Sequence, residues 1–362
     1  MSSSNVPMTI LAKVIRTKSA DAATGYRSRH ILRALNFHGM TELFYKQFPH
    51  KPKLHNALNV LAKQSSAVEM IRANEFEKVL RVLHRKNVDF LVFKGTALAY
   101  FHYKHPWQRP RSDTDLLIHY DDLSRIQRSL EKLGYTKQSG ISGKLISYQC
   151  TFTKTINEHF VHRLDVHWRI NNRQTLAHCY SLEELLENSL SCTVRERDMF
   201  IPGPIDAILL AVIHRIGHHA DKERLIWLYD IHLLCSALNQ EQWLLLIAKA
   251  RKKRISAITF EAISSAYNLF DTKIDRKHYH ILKKKPDTDE ASAIFLQRHL
   301  SEWTLFWHDI KALPSWLDKL RLIKENVIPD RTYMATAMQE HNIVIALIKR
   351  TMRGSKRILK RN

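Results

Sequence analysis

The chain of 362 residues has few cysteines, and none of them forms a CxxC pair. The four lie far apart, at Cys150, Cys179, Cys192 and Cys235. This spacing argues against both a disulfide framework and a zinc site built on cysteine pairs. Because free cysteines suit a reducing compartment, we expect a cytoplasmic protein.

Long apolar runs are also missing. No stretch approaches the roughly 18 uninterrupted apolar residues of a spanning helix, and residues 1–18 lack the long apolar core of a signal peptide. We therefore expect neither secretion nor a transmembrane segment. Glycine and proline are scarce, at 9 and 10 residues, while 44% of the residues are hydrophobic. This composition is typical of an ordered protein with little low-complexity sequence.

Acidic residues are too few to balance the basic ones. The sequence has 57 lysines and arginines against 35 aspartates and glutamates, which gives a formal net charge of +22. Such a field attracts anions, but it does not choose among a nucleotide, a nucleic acid, an anionic membrane surface and an acidic protein. Basic residues cluster at 249–254, at 283–285 and at 349–361. We interpret these clusters as solvated surface, with nucleic-acid binding as the alternative.

Hydrophobic periodicity predicts helices at both ends of the chain and a mixed region between them. The predicted elements are helices over 27–86, a strand over 88–93, a helix over 97–103, a strand over 113–120, a helix ending before Gly134, a strand over 163–170, and helices over 205–216, 223–238, 291–300 and 316–324. Pro204 suits the start of the first helix of the second half.

These elements predict an α+β protein with a mixed β-sheet core flanked by helices. A helical N-terminal lead-in precedes this core, and a helical C-terminal domain follows it. We accordingly divide the chain into four parts: a helical N-terminal region at 1–80, a core at 81–200, a helical C-terminal domain at 201–340 and a basic tail at 341–362.

Two carboxylates, Asp113 and Asp115, lie one residue apart before the apolar run 116–118. In a strand both would point to one face and could share one or two cations. Mg²⁺ prefers oxygen ligands and keeps only one or two protein carboxylates when phosphates supply the rest. A third carboxylate would complete a two-metal site, and Asp165 is the candidate, on the polar face of the alternating 163–170 segment. An isolated pair also occurs at exposed strand ends, but this context favours a metal site.

A glycine turn precedes this strand. Gly95 and Thr96 would let backbone amides approach a phosphate, because glycine tolerates strained dihedral angles and a helix N-terminus favours anions. Lys94 adds a positive charge at the same place. Arg111 could lie beside the same phosphates, and Arg109 is a weaker candidate of this kind.

Other polar residues have simpler interpretations. His214 and His218 have a spacing that can bind zinc, but no His-Glu-x-x-His pattern is present, so we interpret them as a polar helix face. We expect Asp230 to be a satisfied, partly buried carboxylate in an interdomain contact with His214 or Arg215, with substrate contact as the alternative. His167 is interpreted as a structural residue rather than as a catalytic base.

These motifs resemble those of nucleotidyltransferases of the DNA polymerase beta superfamily, and above all a bacterial family of largely uncharacterised members with Lys-Gly-x-Ala-Leu and Asp-x-Asp-Leu-Leu motifs. The matching residues are Lys94-Gly95-Thr96-Ala97-Leu98, Arg111-Ser112-Asp113-Thr114-Asp115-Leu116-Leu117 and Leu164-Asp165-Val166-His167-Trp168. The resemblance implies a nucleotidyltransferase-type sheet and Mg²⁺, with Mn²⁺ as the alternative. It also implies transfer of a nucleoside monophosphate from a triphosphate, ATP by default, with release of pyrophosphate.

The resemblance also implies roles for single residues. Asp113 and Asp115 would be catalytic metal ligands, and Asp165 would be a ligand or the group that orients and deprotonates the acceptor hydroxyl. The predicted nucleotide-binding residues are Lys94, Gly95, Thr96, Arg111 and Ser112. The usual serine of the turn is a threonine in this chain, which keeps the hydroxyl.

The acceptor is not named by the sequence and could be a small molecule, a protein side chain or an RNA end. Two other functions remain open. One is a scaffold of little or no activity that binds RNA or an anionic partner through its basic surface. The other is a phosphotransferase that moves the terminal phosphate and shares the metal chemistry.

Overall fold

A five-stranded mixed β-sheet forms the centre of the computed structural model, which describes residues 6–139, 144–158, 160–219, 223–284, 289–297 and 300–327. Its strands are β1 (Phe90–Phe93), β2 (Thr114–Ile118), β3 (Thr136–Lys137), β4 (Gln149–Asn157) and β5 (Phe160–His167). They lie in the order β1-β2-β5-β4-β3, with β2 and β5 parallel and the other neighbours antiparallel. A separate hairpin consists of β6 (Leu190–Val194) and β7 (Arg197–Ile201).

Helices precede, interrupt and follow the sheet. Those before it are α1 (Met8–Thr17), α2 (Ser28–His38) and α3 (Pro52–Arg85). Those between β1 and β6 are α4 (Lys94–Phe101), α5 (Leu123–Lys132), α6 (Gln174–Ala177) and α7 (Leu182–Glu187). Those after the hairpin are α8 (Pro204–His219), α9 (Leu225–Ser236), α10 (Gln240–Lys252), α11 (Ser256–Phe270), α12 (Arg276–Lys283), α13 (Glu302–Ala312) and α14 (Trp316–Val327).

The central strands are buried on both faces of the sheet. One face, which carries Leu116 and Val166, packs against α3, α5 and the hairpin. The opposite face carries Leu91, Phe93 and Leu117 and belongs to a second core. That core also contains side chains of α1, α2, α8, α9 and α11. Helices α1 and α2 and the helices after the sheet therefore pack against one common face, whereas the C-terminal half of α3 covers the other.

The predicted fold class is confirmed, since a mixed sheet lies between helices on both sides of it in the chain. Helix α8 begins at Pro204, and Gly134 follows α5 in the left-handed region at φ 87°, both as predicted. Helix α4 begins at Lys94 rather than at Ala97. The predicted helix over 291–300 is instead a 3₁₀ helix at Ala291–Leu296.

The division of the chain at 80, 200 and 340 stays a proposal about its organisation. The shared core means that the N-terminal region and the C-terminal domain would be in contact. The proposed basic tail lies outside the described residues. Within the described ranges, no helix combines the length and the apolar character needed to cross a bilayer.

Candidate active site

Three aspartates come together where β2 and β5 run side by side. Asp115 on β2 lies opposite Asp165 on β5 in the parallel register. Because paired residues of neighbouring strands project to the same face, both carboxylates lie on the face that carries Leu117. Asp113 lies just before β2, which begins at Thr114 and not at 113 as the sequence predicted. The sheet register therefore brings together carboxylates from distant parts of the chain.

Asp115 is deeply buried and is held by two basic side chains. Its side chain is 6% exposed, and Lys94 Nζ donates to its Oδ1 at 2.7 Å. His167 Nε2 lies 2.9 Å from the same oxygen and 3.4 Å from Lys94 Nζ. Among the described contacts, every side-chain partner of Asp115 meets Oδ1. Its Oδ2 could therefore serve another ligand.

Burial and neighbouring charges set the protonation of the cluster. Burial would raise the pKa of Asp115, but the Lys94 ammonium and His167 hold that pKa well below its usual range. Burial raises the pKa of Asp113 and of Asp165, and the negative charge of Asp115 adds to both shifts. Burial and Lys94 lower the pKa of His167 to about 4, so its imidazole is neutral at neutral pH. Ionisation of these two carboxylates is thus less favourable than in water.

Asp165 is oriented by the neighbouring strand β4. Thr151 lies opposite it in the antiparallel register and donates its hydroxyl to Asp165 Oδ1 at 2.6 Å. Gln149 Nε2 lies 3.4 Å from Asp165 Oδ2. The sequence did not predict either residue, because β4 was not recognised as a strand. Their two-residue spacing, which puts both on one face, was the available signal.

A group formed by Asp115, Asp165 and His167 could hold a metal ion. One ligand atom from each residue lies within 4.8 Å of the others. The sequence predicted Asp113 beside Asp115 and Asp165 as the ligands and interpreted His167 as structural. His167 follows Asp165 by two residues on the same strand face, which was the signal for its position. Its Nδ1 is buried, with no hydrogen-bond partner among the described residues.

The glycine turn differs from its predicted conformation. Lys94, and not Gly95, has the left-handed backbone, with φ 54°. A Cβ placed on Gly95 would lie 3.5 Å from both Arg109 Nη1 and Arg111 Cβ, which are ordinary van der Waals distances. The turn therefore does not need glycine for its dihedral angles.

Thr96 and Arg111 belong to a buried network beside the turn. Arg111 Nη2 donates to Glu69 Oε1 at 2.6 Å, and its Nε donates to Thr96 Oγ1 at 3.2 Å. Arg72 Nη1 donates to the other oxygen of Glu69 at 2.7 Å. These contacts connect the turn to α3, so a nucleotide role for Thr96 and Arg111 stays a prediction. Ser112, also predicted to bind nucleotide, is exposed.

Arg109 and Asp230 form a buried ion pair between the loop before β2 and helix α9. Arg109 Nη2 donates to Asp230 Oδ2 at 2.8 Å, and Nε donates to Oδ1 at 3.0 Å. The Tyr103 hydroxyl donates to the same Oδ1 at 2.7 Å. Arg109, the weaker candidate for phosphate binding, is thus paired with Asp230. Asp230 is thus a satisfied carboxylate, as predicted, but Arg215, one of its two expected partners, pairs with Glu223 and Glu261 instead.

A narrow cavity lies between α4, α8 and α9, beside the glycine turn. Lys94 and Gly95 line one side of it, and His214 and Trp227 line the other. The rings of His214 and Trp227 meet edge to face, with centroids 6.1 Å apart. The side chain of His218 lies outside the described residues, so the predicted polar face is not described there.

The basic cluster at 249–254 is largely engaged within the protein. Four of its side chains have internal partners: Lys249 pairs with Asp206, Lys253 pairs with Glu184, and Arg251 and Arg254 donate to backbone carbonyls. Arg251, Lys252 and Arg254 are nevertheless exposed, in agreement with the predicted solvated surface. Residue 285 of the second cluster and all of 349–361 lie outside the described part of the chain.

Residues 24–271 match the model of a protein family described as uncharacterised nucleotidyltransferase, and this range contains all three aspartates. A comparison with curated proteins gives no match. The solution structure of the antibiotic-resistance factor ANT(2'')-Ia is 14% identical, with a TM-score of 0.37, and the alignment covers 55% of this chain and 98% of that chain. The crystal structure of an H. pylori protein described as a nucleotidyltransferase is also 14% identical, with a TM-score of 0.31 and coverages of 67% and 95%.

Proposed function

Because the chain belongs to the family of uncharacterised nucleotidyltransferases, which are enzymes, we propose that it transfers a nucleoside monophosphate from a triphosphate to an acceptor and releases pyrophosphate. ATP is the default donor, and Mg²⁺ is the proposed cation, with Mn²⁺ as the alternative. The observation that carries the proposal is the pairing of Asp115 with Asp165 on parallel strands beside Lys94. We propose a cytoplasmic location from the cysteine usage.

The side chains present fit a divalent cation. Burial and the charge of Asp115 raise the pKa of Asp113 and of Asp165, and a bound cation would relieve this repulsion. The proposed ligands are therefore Asp113, Asp115 and Asp165, with His167 as an additional donor whose atoms lie within reach. A set dominated by carboxylate oxygens suits Mg²⁺. When bound, the cation would neutralise phosphate oxygens and activate the acceptor hydroxyl.

The chain's own residues would bind and orient the two reactants. Lys94, which is paired with Asp115, would exchange that carboxylate for a phosphate oxygen as the triphosphate enters. The backbone N–H groups at Gly95, at the start of α4, would receive the phosphates. Asp165, held by Thr151, would orient the acceptor hydroxyl and accept its proton, a role that a carboxylate of raised pKa suits.

The reaction balances without any further reactant. The acceptor oxygen forms a bond to the α-phosphorus of the triphosphate. The bond between that phosphorus and the oxygen bridging to the β-phosphate breaks, and pyrophosphate leaves with the electron pair. The hydroxyl proton passes to the Asp165 carboxylate and then to solvent.

Incubation with triphosphates tests this proposal. Each nucleoside triphosphate, labelled at the α-phosphorus, is supplied with Mg²⁺ and a mixture of small-molecule, protein and RNA acceptors, and pyrophosphate release and label transfer are followed. Asp115→Asn and Asp165→Asn should each lower the rate by about 100-fold or more. Asp121→Asn, at an exposed position close in sequence, is the matched control and should keep full activity. Full activity in folded Asp115→Asn and Asp165→Asn proteins would show that the site lies elsewhere.

A further inference from the structure

A groove lies beyond the start of β4 and the end of β5. It lies between the segment 171–174, which follows β5, and helices α13 and α14. Its volume is about 740 Å³. This lies within the range of roughly 300–1,000 Å³ that is typical of small-molecule sites.

Two polar contacts connect this groove to Asp165. Gln149 Nε2 lies 3.4 Å from Asp165 Oδ2, and Gln149 Oε1 lies 3.5 Å from Asn172 Nδ2. Asn172 lines the groove, and its Oδ1 accepts the backbone N–H of Tyr148 at 2.8 Å. Asp165 is the residue proposed to accept the proton of the acceptor. Asp165 does not itself line the groove, and Gln149 is the side chain that lies between it and Asn172.

The wall formed by α13 is aromatic. Its three aromatic side chains in the groove are Trp303, Phe306 and Trp307. Trp303 stacks on Phe306, with ring centroids 5.7 Å apart, and contacts Trp307 edge to face. The exposed fractions of Trp303 and Trp307 are still 66% and 44%, so part of each ring is open to a ligand. The π-face of an indole is electron-rich and attracts the weakly positive C–H groups on the flat side of a sugar ring.

The charged groups of the groove do not suit a polyanion. Arg173 is held between two carboxylates, with Nη1 3.2 Å from Asp309 Oδ2 and Nη2 3.3 Å from Glu302 Oε2. Arg173, Glu302 and Asp309 are the charged residues among the described residues that line the groove. In a chain of net charge +22 this site thus carries two negative groups and one positive group. A nucleic-acid backbone would meet two carboxylates here, whereas a polyhydroxylated molecule could donate to them and to the amides.

We propose that this groove binds the acceptor and that the acceptor is a carbohydrate with free hydroxyl groups. The inference rests on the proposed function and names its substrate class. The sugar ring lies against Trp303 or Trp307, and one hydroxyl reaches Asp165. That hydroxyl oxygen forms the bond to the α-phosphorus, its proton passes to Asp165, and pyrophosphate leaves. The product is a phosphodiester between the sugar and the nucleoside.

Saturation-transfer NMR on the full chain tests the groove without any need for turnover. The probes are glucose, galactose, mannose, N-acetylglucosamine and glucosamine at millimolar concentration, and a single-stranded oligouridylate. We expect ring-proton signals from at least one sugar. Trp303→Ala should weaken this binding by about tenfold or more. Trp316→Ala is the matched control, because Trp316 is 67% exposed on α14 and does not line the groove. This variant should bind like the wild type.

The outcomes distinguish a failure of the groove proposal from a failure of the proposed reaction. Sugar binding that is weakened in Trp303→Ala but not in Trp316→Ala would support the groove proposal. This holds even if no triphosphate releases pyrophosphate, because the absence of pyrophosphate release would overturn only the proposed reaction. Pyrophosphate release in a protein that gives no sugar signal would overturn the groove proposal and leave the reaction intact. Equal sugar binding in the two tryptophan variants would also overturn the groove proposal. Label transfer to RNA at the same rate in the wild type and in Trp303→Ala would overturn it as well.

Discussion

Among single residues, Lys94 controls the charge of the carboxylate cluster. Its left-handed backbone costs about 1–2 kcal/mol relative to an ordinary conformation. The same residue gives Asp115 an ammonium partner at 2.7 Å, within a site where the ionised forms of Asp113 and Asp165 are disfavoured. Lys94 therefore acts as a resident cation in the described structure. When a nucleotide enters, Lys94 would leave Asp115 and pair with a phosphate. Nucleotide binding would thereby free Asp115 Oδ1 for a cation.

Replacement of Lys94 tests this coupling. Lys94→Gln removes the positive charge beside Asp115, so the variant should bind Mn²⁺ more tightly than the wild type when no nucleotide is present. It should also show a higher KM for the triphosphate, because a phosphate contact is lost. Mn²⁺ affinity is measured by electron paramagnetic resonance. Lys104→Gln removes the same charge at an exposed position and is the control. Equal Mn²⁺ affinity in Lys94→Gln and the wild type would contradict the resident-cation role.

Gly95 allows a test of phosphate binding that does not disturb the fold. In Gly95→Ala the added Cβ would lie 3.5 Å from its nearest neighbours, so thermal unfolding should match that of the wild type. The same methyl group would occupy space that phosphates need, and the KM for the triphosphate should rise. Gly203→Ala is the contrasting variant, since its Cβ would lie 2.4 Å from a backbone oxygen, and it should lose about 1–3 kcal/mol of stability. An unchanged KM in Gly95→Ala would exclude a phosphate contact at this turn.

His162 should make the free energy of unfolding depend on pH. Its side chain is 1% exposed, and its Nδ1 lies 2.6 Å from the Tyr135 hydroxyl. Burial and the nearby Arg72 lower its pKa from 6.5 to about 3. Between these two values the unfolded chain binds a proton that the folded chain does not, so stability falls as the pH falls. At pH 5 this group should reduce the free energy of unfolding by about 2 kcal/mol relative to its value above pH 7.

The measurement compares His162→Gln with the wild type in urea unfolding at several pH values. The glutamine keeps a hydrogen-bonding partner for Tyr135 but has no proton to gain in this range. The difference in stability between the two proteins should therefore narrow, or reverse, from pH 7 to pH 5. Parallel pH profiles of the two proteins would show that His162 is protonated in the fold.

At the level of elements, the sequence predicted those parts of the site whose strands have a regular pattern. The buried run of β2 and the alternation of β5 indicated Asp115 and Asp165, and the glycine turn indicated Lys94. Strand β4 is half-exposed along most of its length, and residues 149–157 lack the apolar alternation of β5. Thr151 and Gln149 were therefore missed, although they hold Asp165. Contacts such as Lys94 to Asp115 depend on the order of the strands, which local patterns do not determine.

The ion pair of Arg109 and Asp230 joins two elements, the loop before β2 and helix α9. Its side chains are 8% and 3% exposed, so removal of one partner leaves a buried charge without compensation. Asp230→Ala should reduce the free energy of unfolding by about 3–5 kcal/mol. The double variant Arg109→Met with Asp230→Leu should recover much of this loss, because it removes both charges. Urea unfolding of the single and double variants measures the difference, and equal losses would show that the charges are not the cause.

At the level of the whole molecule, part of one basic cluster is paired within the protein. Most side chains of the 249–254 cluster are held by carboxylates or backbone carbonyls, and the groove beside Asp165 contains two carboxylates. A scaffold that binds RNA would need a free basic surface, and its binding would weaken steeply with salt and persist in the aspartate variants.

The sheet also separates the two proposed reactants. Lys94 follows β1 on one side of Asp115, and Gln149 begins β4 on the other side of Asp165. The triphosphate would thus enter from the α4 side and the acceptor from the groove at α13 and α14. The acceptor oxygen and the α-phosphorus would meet at the paired aspartates of β2 and β5.

The most direct test of the central claim is to determine which phosphorus of the triphosphate reaches the acceptor. ATP labelled at the α-phosphorus and, separately, at the γ-phosphorus is incubated with Mg²⁺, the sugar probes and either the wild type or Asp115→Asn. We expect the wild type to place the α-label on a sugar and to release the γ-label as pyrophosphate, and Asp115→Asn to do neither. Transfer of the γ-label to the sugar, with the α-label left in ADP, would contradict the account and identify a phosphotransferase.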